Sequence, residues 1–146
     1  MIWREATRDD VPAIVAMLAA DSLGASREVA DPAAYLAAFD AMAAEGANLQ
    51  IVAEDGGRVI ACYQITFISG LSLQGTRRAL VEGVRVAPEL RGQGVGAQMF
   101  ADAEARARAA GCRVMQLTTN AARTDAHRFY DRLGFTASHV GFKKTL

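Results

Sequence analysis

The sequence predicts an α+β, mixed-sheet domain, and three observations carry that prediction. Strand-like and helix-like segments follow one another in the order β-α-α-β-β-β-α-β-α-β, which is neither all-β nor a regular βαβ repeat. Two of the strand-like runs, 48–54 and 58–67, are joined by "DGG", a hairpin-turn combination. A third run leads through "RVAPELRGQGVGAQMF" (85–100) from an extended segment, across glycines, into a helix pattern. With 146 residues, 51% hydrophobic and 22% charged, the chain has the composition of one globular domain with a core of its own.

Each element has a local reason. "IWREAT" at 2–7 alternates and reads as a strand. Thr7 and Asp10 stand three apart ahead of an apolar run, a capping box with Asp in the acidic place, and Val11, Ile14, Val15 and Leu18 follow at helical spacing until Gly24. Asp31-Pro32 starts a second helix with Pro at its first position; Tyr35, Phe39 and Met42 form the stripe and Gly46 stops it. The hairpin comes next, and the run 78–87 ends at Pro88. Val95, Met99, Ala103, Ala107 and Ala110 share one face of a helix over 95–110. Asp102–Arg106 and Glu104–Arg108 are i,i+4 pairs on its other faces, and Gly111 ends it. "VMQLTT" at 114–119 is a strand. Thr124 or Asp125 caps a short helix through Leu133, which Gly134 terminates. The tail from Phe135 to Leu146 is expected to add one or two strands.

The glycines pose the functional question. Amides at a helix N-terminus are unpaired donors at the positive end of the dipole, and glycine lets an anion approach them closely. "RGQGVG" at 91–96 lies between strand and helix, with Arg91 at its entrance, and is a candidate phosphate cradle. A Walker loop requires Gly-Lys-Ser/Thr, which Val95-Gly96-Ala97 does not supply. Gly92, Gly94 and Ala97 nominally meet the dinucleotide fingerprint. The next strand ends "LTTN" without the carboxylate that fingerprint requires, and too little chain remains for a two-halved nucleotide fold. The bland alternative is a glycine-rich turn without function.

Arg91-x-x-Gly94-x-Gly96 after "VRVAP", followed by "DAHRFYDRLGF" at 125–135, resembles the two signatures of the Gcn5-related N-acetyltransferases (GNAT). The resemblance covers nearly the whole chain and includes the element order. It implies the GNAT acyl-CoA N-acyltransferase fold, a mixed and mostly antiparallel sheet flanked by about four helices. That sheet is splayed between the strands at 78–87 and 114–119. It implies acetyl-CoA as cosubstrate, its pantetheine arm paired with the backbone of Val84, Arg85 and Val86. The diphosphate would rest on the amides of Arg91, Gly92, Gln93, Gly94, Val95 and Gly96, and Phe129 also joins the implied coenzyme contacts. Many relatives have Asn seven residues before the motif's Tyr. Here Arg123 stands there and Asn120 lies three residues earlier, so both are candidates, with Arg123 alternatively a solvated charge.

In such an enzyme a primary amine attacks the thioester carbonyl directly, in a ternary complex. The amine must lose a proton and the departing thiolate must gain one. The resemblance implies Tyr130 as the acid, and a phenol with pKa near ~10 holds its proton at neutral pH. Its spacing with Ala126, Phe129 and Leu133 also fits a plain core aromatic. Glu82 is the candidate base. In "ALVEGVRV" an ideal strand puts Leu80, Glu82, Val84 and Val86 on one side, and apolar neighbours would raise a carboxylate's pKa. The alternatives are an ion pair with Arg78 or Arg85, or a bulge at Gly83 that resets the alternation.

Composition narrows the partners. Lys plus Arg and Asp plus Glu are sixteen each, so no net basic charge points to nucleic acid or a membrane surface. Cys62 and Cys112 do not make a disulfide framework, no signal peptide or spanning segment is visible, and a cytoplasmic protein is expected. His127 and His139 lack zinc-site spacing with those cysteines, so no metal is expected. Trp3 reads as structural. The acceptor is expected to be a small-molecule amine, its pocket formed by 22–34 and "FISGLSLQGTRR" (67–78); Arg77 and Arg78 hint at an acidic group on it. A homodimer is the assembly the family suggests. The rival readings are a non-catalytic acyl-CoA sensor or interaction module and a protein acetyltransferase.

Overall fold

Runs of consecutive fully buried residues show that the central strands are covered on both faces. Ile51, Val52 and Ala53 have no exposed surface, nor do Ala61, Cys62 and Tyr63. In the computed structural model, described at residues 1–20, 24–28 and 31–146, the chain groups into two compact units, Met1–Gln116 and Leu117–Leu146.

The first unit is built on β1 (Ile2–Glu5), β2 (Asn48–Asp55), β3 (Arg58–Ile68), β4 (Arg78–Val86) and the start of β5 (Val114–Leu117). The strands lie side by side in that order, and the first three neighbouring pairs are antiparallel. The predicted hairpin is present: Asp55 pairs with Arg58 across Gly56 and Gly57, whose φ values of 56° and 79° only glycine adopts readily. At the opposite edge the Arg113 amide donates to the Arg77 carbonyl, 2.9 Å, where β5 begins beside β4.

Helices α1 (Val11–Ala19) and α5 (Val95–Ala109) pack against the sheet. Ile14 of α1 joins Val52 and Cys62 in one cluster, with Met17 and Leu18 packed against it. On α5, Val95, Met99, Phe100, Ala103 and Ala107 are buried, as the predicted stripe requires. Tyr63, fully buried on β3, donates its hydroxyl to Asp102 of α5, and Arg106 donates from Nε to the same carboxylate oxygen at 2.8 Å. Burial, then this hydrogen bond, push the phenol's pKa up, so it stays a donor. Arg106 also reaches the Trp3 carbonyl, and the Trp3 and Tyr63 rings lie 6.1 Å apart. Both predicted ion pairs on α5 form.

Helix α3 (Pro32–Glu45) starts where Asp31 accepts the Ala33 amide and stops at Gly46, φ 75°. Its stripe of Tyr35, Phe39 and Met42 is only half-buried. Between α1 and α3, Gly24 opens a four-residue helix, α2 (Gly24–Arg27), instead of closing α1, which ends at Ala19. Ser72–Gly75, labelled α4, is a left-handed turn, with Leu73 at φ 52° and Gln74 at φ 60°. No periodicity announces so short and strained a segment.

In the second unit α6 (Thr124–Arg132) is followed by Gly134 at φ 90°. Neither Thr124 nor Asp125 caps it: Arg123 occupies the N-cap position. The strand predicted over 114–119 ends at Leu117, and the tail from Phe135 forms no strand. A strand requires a bonded edge partner, which an alternating pattern does not provide, and Val140 and Phe142 are 79% and 93% exposed. Among the described residues no helix is long and apolar enough to cross a membrane.

The Thr7–Asp10 pair forms as read. The Thr7 amide donates to Asp10 Oδ2 at 2.7 Å, and Arg4 donates to both Asp10 oxygens at 2.7 and 2.9 Å while also bonding Glu54. The Arg4 hydrogen bond, followed by the Thr7 amide, outweighs burial and lowers the Asp10 pKa from 3.8 to about 2. A carboxylate with a lowered native pKa stabilises the fold above the unfolded value and loses that contribution as pH falls through the folded one. Asp10 is therefore expected to contribute roughly 2 kcal/mol that disappears between about pH 4 and pH 2. In urea titrations the stability gap between wild type and Asp10→Asn should close over that window; a gap independent of pH contradicts this.

Candidate active site

Strand β4 does not alternate regularly. Its register against β3 runs Ile68↔Arg78, Thr66↔Leu80 and Gln64↔Glu82, then shifts so that Cys62 meets Arg85 and Ala61 meets Val86. Gly83 and Val84 together thus oppose Tyr63, a β-bulge, with Gly83 at φ 59°. Paired residues of antiparallel strands point to the same face. Leu80, Glu82 and Arg85 therefore lie on the face of Cys62 and α1, and Val86 lies on the face of Tyr63 and α5. The expectation that Leu80, Glu82, Val84 and Val86 share one side is corrected by this bulge.

Glu82 is also exposed, not enclosed by apolar neighbours, and its cross-strand partner is the amide side chain of Gln64. Gln64 donates to Asn48 Oδ1 at 2.8 Å and Thr66 donates to the same oxygen at 3.3 Å, so this part of the sheet face is polar. Among the described residues Glu82 forms no ion pair with Arg78 or Arg85. Arg78 donates to Gln116 Oε1 at 2.8 Å, and Arg85 donates to the Val84 carbonyl at 2.8 Å. Gln64 was absent from the sequence reading; only the register reveals it.

Cys62 faces the bulge, its thiol 3.8 Å from the Gly83 carbonyl. Burial pushes its pKa up to about 12 against the opposing effect of the Arg85 cation. It is a buried thiol and not a nucleophile.

Beyond β4, a single 3-10 turn (Pro88–Leu90) leads to the glycines. Gly92 and Gly94 take φ of 75° and 83°, and a Cβ built on either would meet nothing within 4 Å. Their conformation, not crowding, requires glycine. Gly94 is the N-cap of α5 and supplies no side-chain acceptor to the first turn. Arg91, Gly92, Gln93 and Gly94 are exposed, Gly96 is half-buried and Val95 is buried, anchoring the helix start to the core. Arg91 folds back to the Val86 carbonyl at 3.3 Å, and Gln93 donates to the Glu89 carbonyl at 2.9 Å.

In the second unit Tyr130 is half-buried between Phe129, 5.3 Å between ring centroids, and Phe135, 5.9 Å and edge-on. Asn120 accepts the Ala122 amide at 3.0 Å in an Asx-type turn that leads into α6, and its carbonyl accepts the Arg123 amide and lies 3.2 Å from His127 Nε2. Arg123 is exposed. Among the described residues no three His, Cys, Asp or Glu side chains gather as a metal site. Of the segment 22–34, residues 22, 23, 29 and 30 lie outside the described residues.

The model of a known family, the acetyltransferase (GNAT) family, matches residues 15–135, a span that includes the bulged strand, the positive-φ glycines and the start of α5. The chain belongs to the GNAT family. It is 47% identical over 66 residues to the aminoalkylphosphonate N-acetyltransferase of Salmonella typhimurium, a match spanning 45% of this chain and 43% of that relative's length. A crystal structure of a transcriptional regulator from Bacillus halodurans superposes with TM-score 0.95 at 43% identity, covering 99% of both chains. An Agrobacterium tumefaciens protein assigned as an acetyltransferase superposes at 0.89 with 25% identity over the full length of both. The GNAT fold accounts for the five-stranded sheet and for the four helices of nine residues or more, α1, α3, α5 and α6.

A side chain at position 94 would have to adopt a left-handed backbone at a cost of roughly 1–2 kcal/mol, and on the phosphate-cradle expectation it would stand in the path of the anion. For Gly94→Val we expect a cooperative thermal transition at a lower Tm and no calorimetric heat with CoA. Wild-type affinity for CoA in this variant contradicts the placement.

Proposed function

We propose that the protein transfers an acetyl group from acetyl-CoA to the primary amine of a small molecule by direct attack in a ternary complex. The observation that carries the reading is the run from the β4 bulge through Gly92 and Gly94 into the uncapped first turn of α5. First-turn donors without an intramolecular cap suit the diphosphate of the coenzyme. In this reading Arg91 to Gly96 hold the diphosphate. The backbone of Val84, Arg85 and Val86, at and just after the bulge, receives the pantetheine amides. Phe129, Asn120 and Arg123 remain proposed coenzyme contacts on the family resemblance.

The amine nitrogen attacks the thioester carbonyl carbon, the C–S bond breaks, and the acetyl group ends on nitrogen. Glu82 takes the proton that the amine gives up, directly or through a water. Its exposure and the polar Gln64 beside it leave its carboxyl group open to an amine or a water. Tyr130 donates its proton to the departing thiolate. The relative that acts on aminoalkylphosphonates supports a compact amine, rather than a protein, as acceptor.

Release of free thiol from acetyl-CoA, followed against a panel of small amines and with product masses recorded, tests the reading. Coenzyme binding without transfer to any amine would favour a sensor module. Tyr130→Phe should lower kcat on the order of 10²-fold while CoA affinity is retained; equal losses in both remove its role as acid. Glu82→Gln should flatten the acidic limb of the kcat/KM profile against pH. A limb identical to wild type removes Glu82 as base.

A further inference from the structure

Most arginines whose contacts are described meet a carboxylate. Arg4, Arg8, Arg58, Arg106, Arg108 and Arg128 all form ion pairs. Arg77, Arg78 and Arg113 do not: among the described residues none of the three pairs with an acidic side chain. They are nevertheless neighbours, consecutive at the start of β4 and joined to the start of β5 by the Arg113 amide on the Arg77 carbonyl, 2.9 Å. Arg77 and Arg78 are half-buried. Arg77 has an enclosed Nε with no hydrogen-bond partner among the described residues and lays its guanidinium over the Phe67 ring at 5.7 Å. Arg78 is fixed by one neutral acceptor, Gln116 Oε1 at 2.8 Å. Arg78 is thus a partly desolvated cation that no carboxylate balances among the described residues, and an oxyanion would relieve its positive potential.

Register decides which of the three can serve the reaction. Arg77 reaches toward Phe67, whose partner Ala79 lies on the buried face of β4. Arg78 lies on the other face, with Leu80 and Glu82, and the pairing from Ile68↔Arg78 to Gln64↔Glu82 is unbroken because the bulge comes only after Glu82. Four residues of strand separate their Cα atoms by about 13 Å. Two side chains of this length leave room between their heads for an amine and an anion a few bonds apart.

We infer that Arg78 selects the acceptor by binding an oxyanion at the end opposite the reacting amine. This rests on the reading above that the amine is deprotonated beside Glu82. Gln116 holds the guanidinium in place, and a planar fork suits a phosphonate, phosphate or carboxylate.

The test compares 2-aminoethylphosphonate, β-alanine and propylamine as acceptors for wild type, Arg78→Gln and Arg78→Lys, each checked for a wild-type circular dichroism spectrum. In wild type, kcat/KM for the phosphonate should exceed that for propylamine about tenfold or more, mainly through KM, with β-alanine showing whether a carboxylate serves as well. Arg78→Gln should bring the ratio near one, and Arg78→Lys should restore part of it. A wild-type ratio near one, or a ratio that Arg78→Gln leaves unchanged, overturns the inference. Transfer to no amine at all would defeat the proposed function. Calorimetry of 2-aminoethylphosphonate alone then decides the role of Arg78: binding lost in Arg78→Gln supports it, and binding that is absent from wild type or equal in both proteins overturns it.

Discussion

The β-bulge at Gly83 decides what β4 presents, and to which side. Two residues there oppose one, so the strand reverses its facing between Glu82 and Val86. Before the bulge, Arg78, Leu80 and Glu82 line the face shared with α1. After it, Arg85 keeps that face and Val86 turns to the α5 side. A regular strand would have placed Val86 beside Glu82 and moved Arg85 away from Cys62. The positive φ of Gly83 is the local condition for this arrangement, and the unpaired backbone of a bulge is available to something other than β3.

The second requirement is that α5 begin where β4 ends. Its apolar stripe lies on the sheet, and the Tyr63–Asp102–Arg106 group fixes its rotation with a hydroxyl donor that burial keeps protonated. The first turn projects beyond this anchor. Val95 is buried while the residues just before it are exposed, so the start of the helix is held from inside and open from outside. In the proposed function this rigid element with an open donor end would not have to rearrange to receive an anion.

Much of this was legible in the sequence, for physical reasons that can be named. The hairpin followed from Gly56 and Gly57, the α3 start from Asp31-Pro32, and the α5 stripe from its 3.6-residue period. The glycines at 92 and 94 declared a conformation that other residues avoid. The facing of Val86 relative to Glu82 was misread because alternation assumes an unbroken strand, although Gly83 was the visible warning. The tail was misread because an alternating pattern states a preference and not a partner. Arg78 looked like one of two adjacent arginines. Its isolation from carboxylates becomes visible only when the partners of every other charge are known, as does the place of Gln64 opposite Glu82.

The proposed site is assembled around charge: amides without a side-chain cap beyond one end of β4, a carboxylate in its middle, and at its start an arginine that meets no carboxylate among the described residues. The most direct measurement is an amide NMR titration of the protein with CoA. The account predicts saturable shifts concentrated at the amides of Val84 to Val86 and of Gly92 to Gly96. Saturable binding that leaves the amides of Gly92 to Gly96 unmoved, or no binding at all, would contradict it.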